Sequence, residues 1–193
     1  AVPFWVYSSF DKWLVNILAG EHLLAGYAVM LQIGFAPVML AFGFTRRFAY
    51  PIKVNAMEAG DHALLLRASR MFFISFTTIA VLIALLAHFF AVPIIRLMTS
   101  SAFEVYSHQL VAFVIGGYLF ACGQWFTLTF EVAEDTKSIF FHRVFIAIAM
   151  IGCFLLYAWI FGGEDFHYAF LATNLLSAVS AAVLAFRSRR PAK

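Results

Sequence analysis

The sequence predicts an all-α fold, a polytopic membrane bundle of about six transmembrane helices. Hydrophobic residues make up 64% of the chain and charged residues only 12%, whereas a soluble globular domain carries roughly 25% charged residues. The mean hydropathy is +0.90. The apolar residues form successive runs, each near the roughly 20 residues that a helix needs to cross a bilayer. Lipid is therefore the solvent that this composition fits.

The predicted helices belong to a single domain over residues 1–193. They cover about residues 1–19, 22–45, 71–95, 105–130, 139–162 and 166–186. The first helix is unusual because Asp11 and Lys12 lie near its middle. Pro37 and Pro93 predict kinks, since a proline removes a backbone hydrogen bond. The chain opens on Ala1 and is apolar at once, so we expect an N-terminally truncated piece of a longer protein.

The hydrophilic connections predict the orientation of the helices. The longest runs from 46 to 70 and the second from 131 to 137. Lys and Arg collect in these two regions and in the tail: Arg46, Arg47, Lys53, Arg67, Arg70, Lys137, Arg143, Arg187, Arg189, Arg190 and Lys193. Basic loops favour the cytoplasmic side. We therefore expect a multi-pass protein of the inner (cytoplasmic) membrane with a cytoplasmic C-terminus and with Glu164-Asp165 outside. The net charge of +3 then reflects topology and predicts no nucleic-acid partner.

Small residues predict where helices pack closely. Ser177, Ala181 and Ala185 recur at four-residue spacing in the last helix, and Gly116-Gly117 lies in the fourth. Such residues let two helix backbones approach each other.

No motif of an enzyme or a metal site is present. The sequence contains no H-E-x-x-H, G-x-S-x-G, Walker A or G-x-G-x-x-G pattern. Glu131, Glu134 and Asp135 are interpreted as a solvated capping cluster rather than as catalytic carboxylates. Glu164, Asp165 and His167 could ligate a metal, but they occupy one short outer loop and lack a second ligand pair. We predict no catalytic residue, no metal and no cofactor, and two inert buried thiols, Cys122 and Cys153.

Polar side chains inside the predicted helices are the candidate functional residues. Lys12 shares a helix face with Ser8 and Asn16. Polar groups in a bundle face its interior or a water-filled cavity, and they serve either interhelical hydrogen bonds or contact with a substrate. The candidates for a substrate pathway are Asp11, Lys12, Asn16, Gln32 and Gln124, and the further polar residues are Ser8, His88 and Asn174.

One order of short motifs runs through nearly the whole chain. It consists of Asp11-Lys12-Trp13, Gly26-Tyr27, Gln32-Ile33, Pro37, a basic segment with Pro51, Val92-Pro93-Ile94-Ile95-Arg96-Leu97, Phe103, Tyr106 and Gly116-Gly117. This order resembles the C-terminal half of the oligosaccharide flippases, the polysaccharide-transporter branch of the multidrug/oligosaccharidyl-lipid/polysaccharide exporter superfamily. The chain departs from the family at Thr99-Ser100-Ser101, where a glycine is common.

The resemblance implies one lobe of a two-lobed transporter that moves lipid-linked oligosaccharide or polysaccharide precursors across the cytoplasmic membrane. Its partners would be the lipid-linked oligosaccharide, the bilayer and an N-terminal lobe of the same protein. One alternative is a drug or metabolite antiporter of the same superfamily, coupled to Na⁺ or H⁺ through an acidic group such as Asp11. Another is a structural subunit of an envelope assembly that does not transport.

Overall fold

The computed structural model describes residues 2–132, 135–162 and 165–188, and the side chains of 10–131, 135–162 and 165–186. These residues are helical throughout and contain no strand. Their elements are α1 (Val2–Met30), a π-helical turn (Leu31–Phe35), α2 (Ala36–Glu58), α3 (His62–Met98), a 3₁₀ segment (Ser101–Gln109), α4 (Leu110–Val132), α5 (Thr136–Phe161) and α6 (His167–Ser188).

The helices have the length and surface of a multi-pass membrane protein. Within the described residues, five helical stretches are long and apolar enough to cross a membrane: Phe10–Glu58, His62–Met98, Ser101–Glu131, Thr136–Phe161 and His167–Phe186. Large apolar side chains cover the outer surface, and Leu97 and Trp159 are 88% and 83% exposed. A surface of this kind is stable in lipid and not in water.

The first of these stretches folds back on itself at Gly20. Gly20 has φ 84° and ψ 175°, a conformation that is essentially restricted to glycine. The hydroxyl of Tyr27 donates to Asp11 Oδ2 at 2.7 Å, although the two residues are 16 apart in sequence. In a continuous helix, residues 16 apart would be separated by about 24 Å along the axis. Helix α1 therefore has two arms, 2–19 and 21–30, and the sequence-predicted gap between residues 19 and 22 coincides with the reversal.

The predicted hydrophilic connection 46–70 is almost wholly helical. Helix α2 continues to Glu58, and α3 begins at His62 after a tight turn in which Gly60 has φ 66°. The Asp61 carboxylate accepts from the amides of Ala63 and Leu64, both at 3.0 Å, and so caps α3. Hydrophilic composition predicted a loop here, but these residues form a helical hairpin. Further along, α3 is irregular at Phe90, which confirms the kink expected beside Pro93.

Helix α4 is the centre of the bundle. It packs against α2, α3, α5, both short turns and, most extensively, α6. Close approach depends on small residues, as predicted: a Cβ on Gly116 would lie 2.2 Å from the Phe170 ring, and one on Gly123 3.1 Å from Ser177 Oγ. Ser177, Ala181 and Ala185 are all buried.

Ion pairs tie the helices together at both ends of the bundle. At one end, Glu131 lies 3.7 Å from both Arg46 and Arg143, so the two basic regions of the sequence meet on the same side. At the other end, Arg96 donates to both carboxylate oxygens of Glu104 at 2.8 and 3.1 Å. That pair fastens the 3₁₀ segment to the end of α3.

Candidate functional site

A cavity of about 590 Å³ opens between the two arms of α1, the π-helical turn and helices α4, α5 and α6. Its volume lies in the range of small-molecule sites. The cavity is lined by Asp11, Lys12, Ala28, Val29, Leu31, Gln32, Phe35, Ala36, Met39, Phe120, Met150, Phe154, Phe170, Thr173 and Asn174.

The polar side of the cavity contains one anionic and one cationic residue. Asp11 is only 8% exposed, and its Oδ1 has no hydrogen-bond partner although Oδ2 accepts from Tyr27. Lys12 is exposed and lines the same cavity. A buried carboxylate oxygen without a partner is costly, so this group is suited to hold a proton or a cation.

Neutral polar groups of α6 complete this side. Thr173 Oγ1 donates to the Ala169 carbonyl, and the amide nitrogen of Asn174 donates to the Phe170 carbonyl, both at 2.9 Å. These bonds use one donor of each side chain and fix its orientation. The Thr173 oxygen keeps acceptor capacity.

Much of the remaining lining of the cavity is aromatic. Phe35 makes edge-to-face contacts with Phe120 and Phe170, with ring centroids 5.5 and 5.8 Å apart. Phe154 and Met150 line the wall on α5. The cavity is therefore amphipathic: it can accept a molecule that has an apolar part and a charged or strongly polar part.

Two irregularities of the backbone create this arrangement. The reversal at Gly20 brings Asp11 and Lys12 of the first arm opposite the second arm. The π-helical turn then carries Gln32, which lines the cavity and is exposed. Single π-helical turns recur at functional sites, because they change which side chains a helix directs inward.

The structure gathers some of the predicted pathway residues and separates others. Asp11, Lys12 and Gln32 line the cavity together with Asn174. Asn16 and Gln124 are half buried elsewhere and do not line it. His88 is exposed on α3. The Ser8 side chain and Glu134, Glu164 and the tail beyond 188 lie outside the described residues.

Sequence reasoning missed Thr173 in the cavity, the hydrogen bond from Tyr27 to Asp11, and a buried lysine. Lys53 is 1% exposed, donates to the Trp125 carbonyl at 2.7 Å and lies 4.5 Å from the centroid of the Trp125 ring. The ring of Phe72 also stacks on Trp125, with ring centroids 4.0 Å apart. In the sequence, Lys53 belongs with the basic residues of the hydrophilic 46–70 connection that indicate orientation. Nothing in the local pattern distinguishes it from Arg46 or Arg47.

A second polar cluster lies at the Arg96–Glu104 end of the bundle. Asp165 Oδ1 is 3.6 Å from His108 Nε2 and 3.6 Å from His167 Nδ1, and it accepts from Gln109 at 3.2 Å. In the part of the chain that the structure describes, no group of three or more His, Cys, Asp or Glu side chains is arranged to hold a metal ion.

Comparison with known proteins gives no relative for this chain: no protein-family model, no curated protein and no solved structure matches it.

Proposed function

We propose that the chain is one lobe of a membrane transporter that moves lipid-linked oligosaccharide or polysaccharide precursors across the cytoplasmic membrane. The proposal includes six crossings, of which the first arm of α1 forms the first and the second arm, continued through the π-helical turn into α2, forms the second; it also includes a second lobe N-terminal to this one. It draws on the motif order that resembles the oligosaccharide flippases and on the amphipathic cavity.

The observation that carries the proposal is the position of Lys12. A lysine within a membrane helix costs about 2.5–3.5 kcal/mol on insertion scales, and Lys12 lines the cavity beside Asp11, its neighbour in sequence. The same cavity is lined by aromatic rings, among them Phe35 and Phe120. An ammonium is a good point-charge binder of phosphate, and the aromatic wall suits a lipid or the apolar face of a sugar.

The direct test measures binding of a polyprenyl pyrophosphate to the chain in nanodiscs. Lys12→Gln should weaken binding by about 10- to 100-fold, the loss of a charge-assisted contact, and Lys12→Arg should retain part of it. Lys137→Gln is the matched control, because Lys137 is exposed and does not line the cavity. Equal affinity of the Lys12→Gln and Lys137→Gln variants would refute the role of Lys12.

A second candidate is a cation-coupled antiporter of the same superfamily, and the unpartnered Asp11 Oδ1 favours it. Proteoliposomes of the full-length transporter distinguish the two. A flippase translocates lipid-linked oligosaccharide, whereas an antiporter moves a soluble drug or metabolite only when a Na⁺ or H⁺ gradient is imposed, and loses this dependence with Asp11→Asn. A structural subunit would do neither.

A further inference from the structure

The cluster around Asp165 is a candidate for a role that the cavity does not require. It joins two elements that are distant in sequence, the 3₁₀ segment through His108 and the beginning of α6 through His167. Asp165 itself lies in the short connection between α5 and α6. Three groups converge on the single oxygen Asp165 Oδ1: His108, Gln109 and His167.

The hydrogen bonds of His108 determine which of its protonation states fits this cluster. Its Nδ1 lies 3.0 Å from the Val105 carbonyl oxygen, which can only accept, so Nδ1 must carry the hydrogen. In neutral His108 the other nitrogen, Nε2, then directs a lone pair at a carboxylate oxygen 3.6 Å away. That arrangement is repulsive. Only the imidazolium form can donate from both nitrogens and attract Asp165.

His167 adds a second site for the same proton-dependent attraction. It is 4% exposed, and its Nδ1 is buried without a hydrogen-bond partner, 3.6 Å from Asp165 Oδ1. The two imidazole rings are 6.0 Å apart. Protonation of both rings beside one carboxylate is opposed by their mutual repulsion, so their titrations are coupled.

Other titratable groups surround the cluster without competing for Asp165. Tyr157 of α5 lies near it, and the Tyr168 ring centroid is 4.0 Å from that of His167. Glu104 is occupied by Arg96. On α1, His22 lies 3.2 Å from the Tyr106 hydroxyl, and Glu21 is exposed.

We propose that His108, Asp165 and His167 form a proton-dependent latch that holds the 3₁₀ segment more tightly against the α5–α6 connection in acid than in neutral and basic solution, where the Gln109–Asp165 hydrogen bond remains. Histidines titrate near pH 6.5 and aspartates near pH 4 in general. Between these values a histidine and an aspartate attract each other, and above the histidine range the attraction is lost. The latch therefore closes as the solution becomes acidic.

Release of the latch would reach the cavity through two direct contacts. Phe166, the neighbour of His167, stacks on the cavity residue Phe154 with ring centroids 5.6 Å apart. On the other side of the latch, Tyr106 packs against Gly26, where an added Cβ would lie 2.5 Å from its ring, next to the Tyr27 that bonds Asp11. The latch thus joins the two elements that hold both sides of this end of the cavity. Its existence does not depend on what the cavity binds.

Thermal unfolding and amide exchange of the chain in nanodiscs test the latch. The wild type should melt about 2–4 °C higher at pH 5.5 than at pH 8.0; Asp165→Asn should remove this difference, and His108→Gln should reduce it. At pH 5.5, amides of the 3₁₀ segment should exchange about two- to fivefold faster in Asp165→Asn than in the wild type. At pH 8.0 the two rates should be equal.

His88→Gln is the matched control, since His88 is exposed on α3 and should keep the wild-type pH difference. The His108 variant keeps the test decisive if Asp165→Asn fails to fold, because the His108 side chain is 61% exposed. An undiminished pH difference in both Asp165→Asn and His108→Gln would overturn the latch, whatever the chain transports.

Discussion

At the residue scale, Lys53 is a charged side chain that is almost completely buried in the bundle. Its ammonium is buried, bonded to the Trp125 carbonyl and placed over the Trp125 ring, which in turn stacks on Phe72. One side chain thereby joins α2, α4 and α3. Burying an ammonium costs free energy of folding. Removing the groups that bind it destabilises a protein more than replacing the charged side chain with an apolar one of similar size.

The Lys53 contacts predict different effects for two substitutions. Lys53→Ala should destabilise the chain by about 2–4 kcal/mol, because it leaves a void beside Trp125 and removes the donor to its carbonyl. Lys53→Met should recover most of that loss, since it fills the space without a charge. Unfolding in mixed micelles measures both, with the exposed Lys137→Ala as control. Equal stability of the Ala variant and the wild type would contradict the role assigned to Lys53.

The sequence identifies residues inside helices better than it identifies their partners. Asp11, Lys12 and Gln32 could be selected because a polar group in an apolar run is conspicuous. Tyr27 could not, since tyrosine is common in membrane helices and its bond to Asp11 depends on the reversal at Gly20. The pairing of His108 with Asp165 could not be predicted, because 57 residues separate them in the sequence.

At the element scale, α1 contains the irregularity on which the cavity depends. Gly20 adopts a positive φ, yet nothing lies within 4 Å of the position where a Cβ would stand. The requirement for glycine is therefore conformational and not steric. The break at Gly20 falls between the first two predicted helices, but the apolar pattern alone does not distinguish a loop from a one-residue reversal.

Gly20→Ala should destabilise the chain by about 1–3 kcal/mol, the cost of a non-glycine residue in a sparsely populated backbone conformation. Gly152→Ala is the matched control: Gly152 lies within α5 with open space around it, so alanine there should stabilise the helix by about 0.5–1 kcal/mol. The same unfolding assay compares them. Stabilisation by both substitutions would show that the reversal at Gly20 is not maintained in the membrane.

The N-terminal cap of helix α5, Asp135, is expected to be lost in acid. Asp135 accepts from the Ser138 hydroxyl at 2.6 Å and from the Ser138 amide at 3.0 Å, and these hydrogen bonds lower the pKa of Asp135. A lowered pKa means that the cap stabilises α5 at neutral pH and that this contribution is lost only as the pH falls below about 4. The cap and the latch at the opposite end therefore respond to different ranges of pH.

At the scale of the whole molecule, charge divides the bundle into two ends. Arg46, Arg143 and Glu131 mark one end, while Arg96, Glu104 and Asp165 mark the other. The spacing of basic residues along the sequence predicted that the regions around 46–70 and 131–143 share a side. Which side faces the cytoplasm is a matter of biosynthesis, and it follows here only from the positive-inside tendency.

Cysteine labelling in intact cells tests this orientation. In a background of Cys122→Ser and Cys153→Ser, Ser101→Cys should react with an impermeant maleimide, and Ala59→Cys should react only after permeabilisation. Both positions are exposed, so they differ in side and not in access. Labelling of Ala59→Cys alone in intact cells would invert the proposed orientation.

The reversal at Gly20 also determines how the two arms of α1 can move. A longer connection would let neighbouring helices slide past each other, but a single residue leaves no slack for translation. Relative motion of the arms is confined to rotation about one pair of backbone dihedral angles, so the joint behaves as a pivot. The hydrogen bond between Asp11 and Tyr27 lies well away from that pivot on both arms, so it restrains the angle between them. Breaking this bond would let the angle change, and the ends of the arms farthest from Gly20 would move most.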